Sequence, residues 1–96
     1  MTEPLVQAIR ERRVVEFDYE QCHRVVEPHT LGYVDGVEEL LGYQIGGESR
    51  SGRLPSWRRF RVAAIANLVL LTRRFGSRPS GTGRHASWDR IVEYVP

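Results

Sequence analysis

In the stretch "WRRFRV", Trp57, Arg59 and Arg61 occupy alternate positions, so an extended chain places all three side chains on one face. An indole beside two guanidiniums suits single-stranded nucleic acid. A base stacks on the ring, worth about 1–3 kcal/mol per base, while the arginines neutralise phosphates. The competing reading is a solvated outer strand face with Trp57 tucked against a loop. Arg58 lies between these positions, and Arg73 and Arg74 close a second apolar stretch, "LVLLTRRF", with one of the pair pointing to each face. If these two stretches were antiparallel neighbours, their bend would fall at residues 63–67. Arg73 and Arg74 would then return near Trp57 to Arg59, and five arginines would gather at one end of a sheet. Otherwise they are a scattered exposed set.

The charge distribution sharpens the question. The net charge is only +2, and all fourteen basic residues are arginine. Residues 1–48 carry four arginines against ten acids, a net of −6, whereas residues 49–88 carry nine arginines and no acid, a net of +9. Residues 89–96 hold Arg90, Asp89 and Glu93, which gives −1 and closes the sum. Guanidinium is the group suited to bidentate recognition of phosphate or carboxylate. A GC-rich genome accounts for the missing lysine but not for forty residues without an acid. That stretch points either to an anion-facing surface or to a basic half that neutralises an acidic half within one domain.

Other chemistries find weak support. Cys22, His23 and His29 suggest a metal, but His23 and His29 lie about 20 Å apart on a straight strand at roughly 3.3 Å per residue. There is no second cysteine, and no Cys-x-x-Cys pair to form a zinc site. Cys22 with His85 lacks an orienting partner for nucleophilic catalysis. Glu38 and Glu39, adjacent in a strand, face opposite ways and cannot act as an acid/base pair. Gly81-Thr82-Gly83 lacks the Lys-Ser/Thr of a phosphate loop. The expectation is therefore no enzyme, no metal and no cofactor.

The elements that must position these residues follow from periodicity. "TEPLVQAIRERR" reads as a short helix with Thr2 as cap, Pro4 in the first turn and a stripe through Leu5 and Ile9. "VVEFDYE" alternates, with Val15, Phe17 and Tyr19 on one face. "HRVVEPHTLGYV" is a second strand in which Pro28 demands an edge, a bulge or a bend. Asp35-Gly36 is a turn, followed by a strand from about Val37 to Ile45 that stops at Gly46-Gly47. "WRRFRV" is a fourth strand, "AAIAN" a short turn, and "LVLLTRRF" a fifth strand. Residues 76–96 read as a Gly/Ser/Pro-rich mobile loop and a short return element, a strand with Ile91, Glu93 and Val95 on one face or a helix capped by Ser87. Val15, Phe17, Leu41, Phe60, Val62, Leu68 and Leu70 are the expected core. The whole predicts one mainly β domain over 1–96: a small β-barrel of about five strands with one N-terminal helix packed on it.

Over about residues 5–75 the order and residues resemble the WYL domain, an SH3/Sm-like β-barrel of many bacterial transcription regulators. The matching pieces are "AIRERRVVEFDYE", "RVVEP", "LLGYQ", "RRFRVAAI" and "LVLLTRRF". The longer run "GGESRSGRLPSWRRFRV" is similar to small stand-alone members without a helix-turn-helix. The resemblance implies a sensing module that binds an anionic ligand, nucleic acid in some members, and regulates transcription or phage defence. Two departures stand out. The family's Trp-Tyr-Leu falls on Glu38, Glu39 and Leu40, and its Asp-Arg falls on Ala63 and Ala64. Of the family's ligand-face residues, Tyr19, Arg24, Pro28 and Arg58 carry over.

Two functions of different class remain open. One is a regulatory module recognising single-stranded nucleic acid or a nucleotide through Trp57, Arg58, Arg59, Arg61, Arg73 and Arg74, with Arg24 and Tyr19 lining a pocket. The other is a protein-interaction or homo-oligomerisation module without nucleic-acid binding. With one cysteine, no secretory pattern and no run approaching the roughly 18–20 apolar residues of a membrane span, a cytoplasmic protein is expected.

Overall fold

A computed structural model of the chain describes residues 1–49, 52–78 and 88–96. The loop expected to be mobile falls largely at 79–87, outside the described residues. The elements are α1 (Thr2–Glu11), β1 (Arg13–Tyr19), β2 (Cys22–Val34), β3 (Val37–Gly47), β4 (Ser56–Arg61), a 3₁₀ turn at Val62–Ala64, β5 (Ala66–Arg74) and β6 (Arg90–Tyr94).

Helix α1 buries Leu5, Val6, Ala8 and Ile9, the stripe its sequence periodicity predicts. Its N-cap is Met1, not Thr2. The Thr2 hydroxyl instead lies against the Glu38 carboxylate, 2.8 Å and 3.0 Å from its two oxygens, tying the helix start to β3. The helix ends where Arg12 turns left-handed (φ 54°), and the Arg74 guanidinium donates to the free carbonyl of Glu11 at 2.9 Å.

Two tight turns build the antiparallel meander β1–β2–β3. Glu20 and Gln21 (φ 52° and 64°) join β1 to β2, and Asp35 and Gly36 (φ 51° and 78°) join β2 to β3. Positive φ at both central residues is the geometry whose twist matches paired strands. The sheet order is β4-β3-β2-β1-β5, with β6 added to β2. β2 is long enough to serve two partners on one side. Its first half pairs with β1, up to Val26, and its second half, Thr30 to Tyr33, pairs with β6. The register slips between Pro28 and Thr30, so Pro28 marks the bulge its missing N–H requires.

The return element is a strand, one of its two expected forms, and brings the strands among the described residues to six. The sheet is not closed: β4 and β5 are the ends of its path and are not paired, so hydrogen bonding does not complete the expected barrel. The reason lies in the connection. The chain does not bend back as a hairpin after β4; it makes the 3₁₀ turn, and both Val62 and Ile65 drop into the core. β5 leaves this turn toward β1, with Leu70 opposite Val15.

The core gathers α1, Val15, Phe17, Val26, Leu31, Leu40, Phe60, Val62, Ile65 and Val95 into one cluster. Phe60 stands edge-on to Phe17 and to Tyr19, each at 5.0 Å between centroids. Leu68 and Leu70 pack against this cluster but are only partly buried, because β5 is an edge strand. Leu41 is buried as expected, yet it lies outside that cluster, next to Leu40 and so on the opposite face of β3. The described residues contain no helix long and apolar enough to cross a membrane.

Candidate ligand-binding site

The parity of β4 divides the sequence-predicted arginines between two faces of the sheet. Ser56, Arg58 and Phe60 face the core; Trp57, Arg59 and Arg61 face away from it.

On the outer face the expected platform is already engaged. Trp57 packs against the rings of His29 at 4.8 Å and Tyr43 at 5.0 Å. Arg59 pairs with Glu39 at 3.0 Å and lies over the Trp88 ring at 4.9 Å. The Arg61 side chain is exposed, while its backbone N–H donates to the Tyr19 hydroxyl at 3.0 Å. Arg73 and Arg74 lie on β5, which pairs with β1 and not with β4. Arg13 stands opposite Arg74. The β4–β5 hairpin expected to gather five arginines is not formed; Trp57, Arg59 and Arg61 share a face, and Arg74 donates to the Glu11 carbonyl.

On the inner face, two of the remaining residues, Arg24 and Tyr19, meet. Arg24 is only 3% exposed, deep in the first half of β2. One terminal nitrogen donates to Gln44 Oε1 and the other to the Tyr19 carbonyl, each at 3.2 Å. Its Cζ lies 5.6 Å from the Tyr19 ring centroid and 5.8 Å from that of Phe60. The orientation of Gln44 is forced, because its amide donates to the carbonyls of Gly46 and Glu48 at 2.9 Å, which leaves Oε1 for Arg24. Ser56 stands directly opposite Gln44 in the register of β3 and β4, and Arg58 lies two residues further on the same face. Gly47 completes this end of the sheet. With φ of 82°, it lets β3 close against β2 where a Cβ would strike the His23 carbonyl.

The electrostatics of this end are unusual. A guanidinium withdrawn from water needs acceptors on all its donors. Yet Arg24 Nε and the Ser56 hydroxyl are buried and lack a hydrogen-bond partner among the described residues. The nearest carboxylate to Arg24 is that of Glu20, 3.7 Å away and itself largely exposed. Both groups are donors, so what would satisfy them is a hydrogen-bond acceptor.

A second polar group, which the sequence reading did not anticipate, lies behind the outer face. Glu27, 4% exposed, receives two hydrogen bonds from Arg78, from Nε at 2.6 Å and from a terminal nitrogen at 3.1 Å. Fully buried His29 lies 3.5 Å from Glu27. Burial holds the His29 pKa below its usual value, against the opposing pull of Glu27, so the ring is neutral near pH 7. The bond to Glu27 raises that of Arg78. The same-face parity of Glu27 and His29 was legible in "VEPH"; Arg78, 51 residues away, carries no local signal. His23 is elsewhere, exposed beside Asp18 at 3.3 Å, and the Asn67 and His23 hydrogen bonds lower the Asp18 pKa. Cys22, His23 and His29 are thus not drawn together, and no group of three metal-ligating side chains occurs among the described residues.

The fold defines a small, mainly β domain with one N-terminal helix. The WYL domain model matches residues 1–70, and the chain belongs to that family, whose domains are generally regulatory ligand-sensing modules. Comparison with curated proteins and with solved structures finds no match.

Proposed function

We propose that this domain is a non-catalytic regulatory module of the cytoplasm that senses an anionic ligand of the nucleotide class, a free nucleotide or the phosphate of a nucleic-acid single strand. The ligand is held at the inner-face end formed by Arg24, Ser56, Arg58 and Tyr19. The observation that carries this reading is Arg24: a nearly fully buried guanidinium whose Nε lacks an acceptor, with a buried serine hydroxyl in the same condition on the strand position opposite its partner Gln44. A phosphate supplies acceptors for such donors, and in this desolvated place each charge-assisted bond is worth more than at the surface. The missing family residues at Glu38, Glu39, Ala63 and Ala64 leave these four residues intact.

The outer face supports nucleic-acid binding less well, because Glu39 already neutralises Arg59 and Trp57 is walled by His29 and Tyr43. A second reading, self-association or a protein partner, is favoured by one observation: Ile91, Val92 and Tyr94 of β6 and Val69 of edge strand β5 are exposed apolar side chains. Roles in transcription regulation or phage defence follow as the settings in which such a sensor would act.

Calorimetric titration with a panel of nucleoside mono- and triphosphates tests the proposal. Arg24→Lys keeps the charge but loses the fork, and it should weaken binding by about tenfold or more, as loss of a charge-assisted hydrogen bond of about 1.5–3 kcal/mol implies. Arg59→Gln should leave affinity unchanged. Absence of binding by the wild-type protein in low salt, together with a concentration-dependent mass in sedimentation, would replace this reading with the second.

A further inference from the structure

Glu27, Tyr43 and Trp57 are brought side by side by the register of β2, β3 and β4, in which Glu27 faces Tyr43 and Tyr43 faces Trp57. The rings continue the wall: Trp57 meets His29 at 4.8 Å, and His29 meets Phe75 at 4.9 Å. The product is a buried carboxylate edged by aromatic faces. Such a combination recognises cations, by charge from the acid and by the ring quadrupole from the walls. It is separate from the Arg24 end and independent of the reading given for that end.

We propose that this aromatic-walled carboxylate is a receptor for the guanidinium of an arginine side chain, filled here by Arg78 and able to exchange it for an arginine presented by another polypeptide. Three observations carry the inference. First, the contact selects guanidinium. Arg78 makes two hydrogen bonds to the two oxygens of Glu27, and its Cζ lies 4.2 Å from the Tyr43 ring centroid. A planar fork that also stacks does both at once; an ammonium cannot. Second, the receptor residues Glu27, His29, Tyr43 and Trp57 are fixed by strand pairing and lie within the family match at 1–70, whereas Arg78 lies beyond it, in an irregular segment four residues past β5. Third, the two partners differ in access: the Glu27 side chain is 5% exposed and that of Arg78 is 42% exposed. An occupant held with its stem toward solvent can be replaced by the same group on another chain. The buried acid, by contrast, requires some cation, since an unpaired buried carboxylate is strongly destabilising.

The experiment uses the full chain and N-acetyl-arginine methylamide as probe, with the lysine analogue and methylguanidinium as controls. Arg78→Ala empties the receptor. It should bind the arginine probe about tenfold or more tightly than wild type, because the tethered Arg78 competes at high effective concentration. The probe should also raise the melting temperature of the variant. The lysine analogue should do neither, and Glu27→Gln combined with Arg78→Ala should abolish binding. Should Arg78→Ala fail to fold, Arg78→Lys keeps a counter-charge without the fork, and its affinity for the probe should exceed that of wild type. The proposal is overturned if neither variant binds the probe, or if wild type and variants bind it equally, which puts the site elsewhere. Equal binding of the lysine analogue would reduce the contact to simple charge. Binding of methylguanidinium without the arginine probe would exclude a polypeptide source.

Discussion

His29 shows how one residue's surroundings set a solution property. It is fully buried between aromatic rings, with Glu27 favouring its protonation and Arg78 and Arg12 opposing it; burial prevails and the folded pKa is lowered. The unfolded chain takes up its proton near pH 6.5, while the folded chain resists. Stability is therefore unaffected by His29 above that pH. It is lost as the pH falls through 6.5 toward the lowered folded value. Urea denaturation between pH 7.5 and 5 should show a steeper loss for wild type than for His29→Asn. Parallel slopes would show that the ring protonates without cost. The same residue-level logic separates the arginines: Arg24 is held by Gln44 and a carbonyl, and Arg59 by a partly buried pair with Glu39.

At the scale of elements, the Arg24 end of the sheet depends on how β3 finishes. Gly36 and Gly47 both have positive φ, 78° and 82°, but only Gly47 is crowded: a Cβ at Gly36 meets nothing within 4 Å, whereas one at Gly47 meets the backbone of His23 and Arg24. Gly36→Ala should thus cost about 1 kcal/mol, the backbone penalty alone. Gly47→Ala should cost more than about 2 kcal/mol, because β2 and β3 must also part. Chemical denaturation of the two variants checks the difference, and equal costs would show that the β2–β3 contact yields easily. Since Arg24 lies opposite Gly47, Gly47→Ala should also weaken nucleotide binding, while Gly36→Ala should not.

For the whole molecule, the question is whether the acidic and basic halves cancel. They do so in part. Arg59 pairs with Glu39 and Arg78 with Glu27, each joining a residue of the acid-free stretch to an acid of the first half. Arg53, Arg61 and Arg73 are exposed. The salt dependence of binding to a short single-stranded oligonucleotide distinguishes a pocket from a surface. One phosphate at Arg24 gives a slope of log affinity on log salt of about −0.7, whereas three or four contacts across Trp57, Arg59 and Arg61 give about −2 to −3. A shallow slope is expected. A steep slope that Arg59→Ala with Arg61→Ala flattens by about one unit or more would move the site to the outer face.

Local order was legible in the residues. Alternation placed Val15, Phe17 and Phe60 in the core, the four-residue spacing of Leu5 and Ile9 marked the helix stripe, and Pro28 and Asp35-Gly36 marked the bulge and the turn. These features depend on side-chain periodicity and backbone freedom, which act over a few residues. The parity of "WRRFRV" likewise put Trp57, Arg59 and Arg61 on one face. The tertiary structure alone decided what each face meets. It sent β5 to β1 rather than to β4, because burying both Val62 and Ile65 turns the chain into the core, and so Arg74 stands opposite Arg13. It brought Arg78 to Glu27 across 51 residues and left Arg24 with a donor unanswered. Such pairings are set by where the folded sheet carries each strand end, and that depends on contacts distant along the chain, of which no short stretch of sequence holds a record.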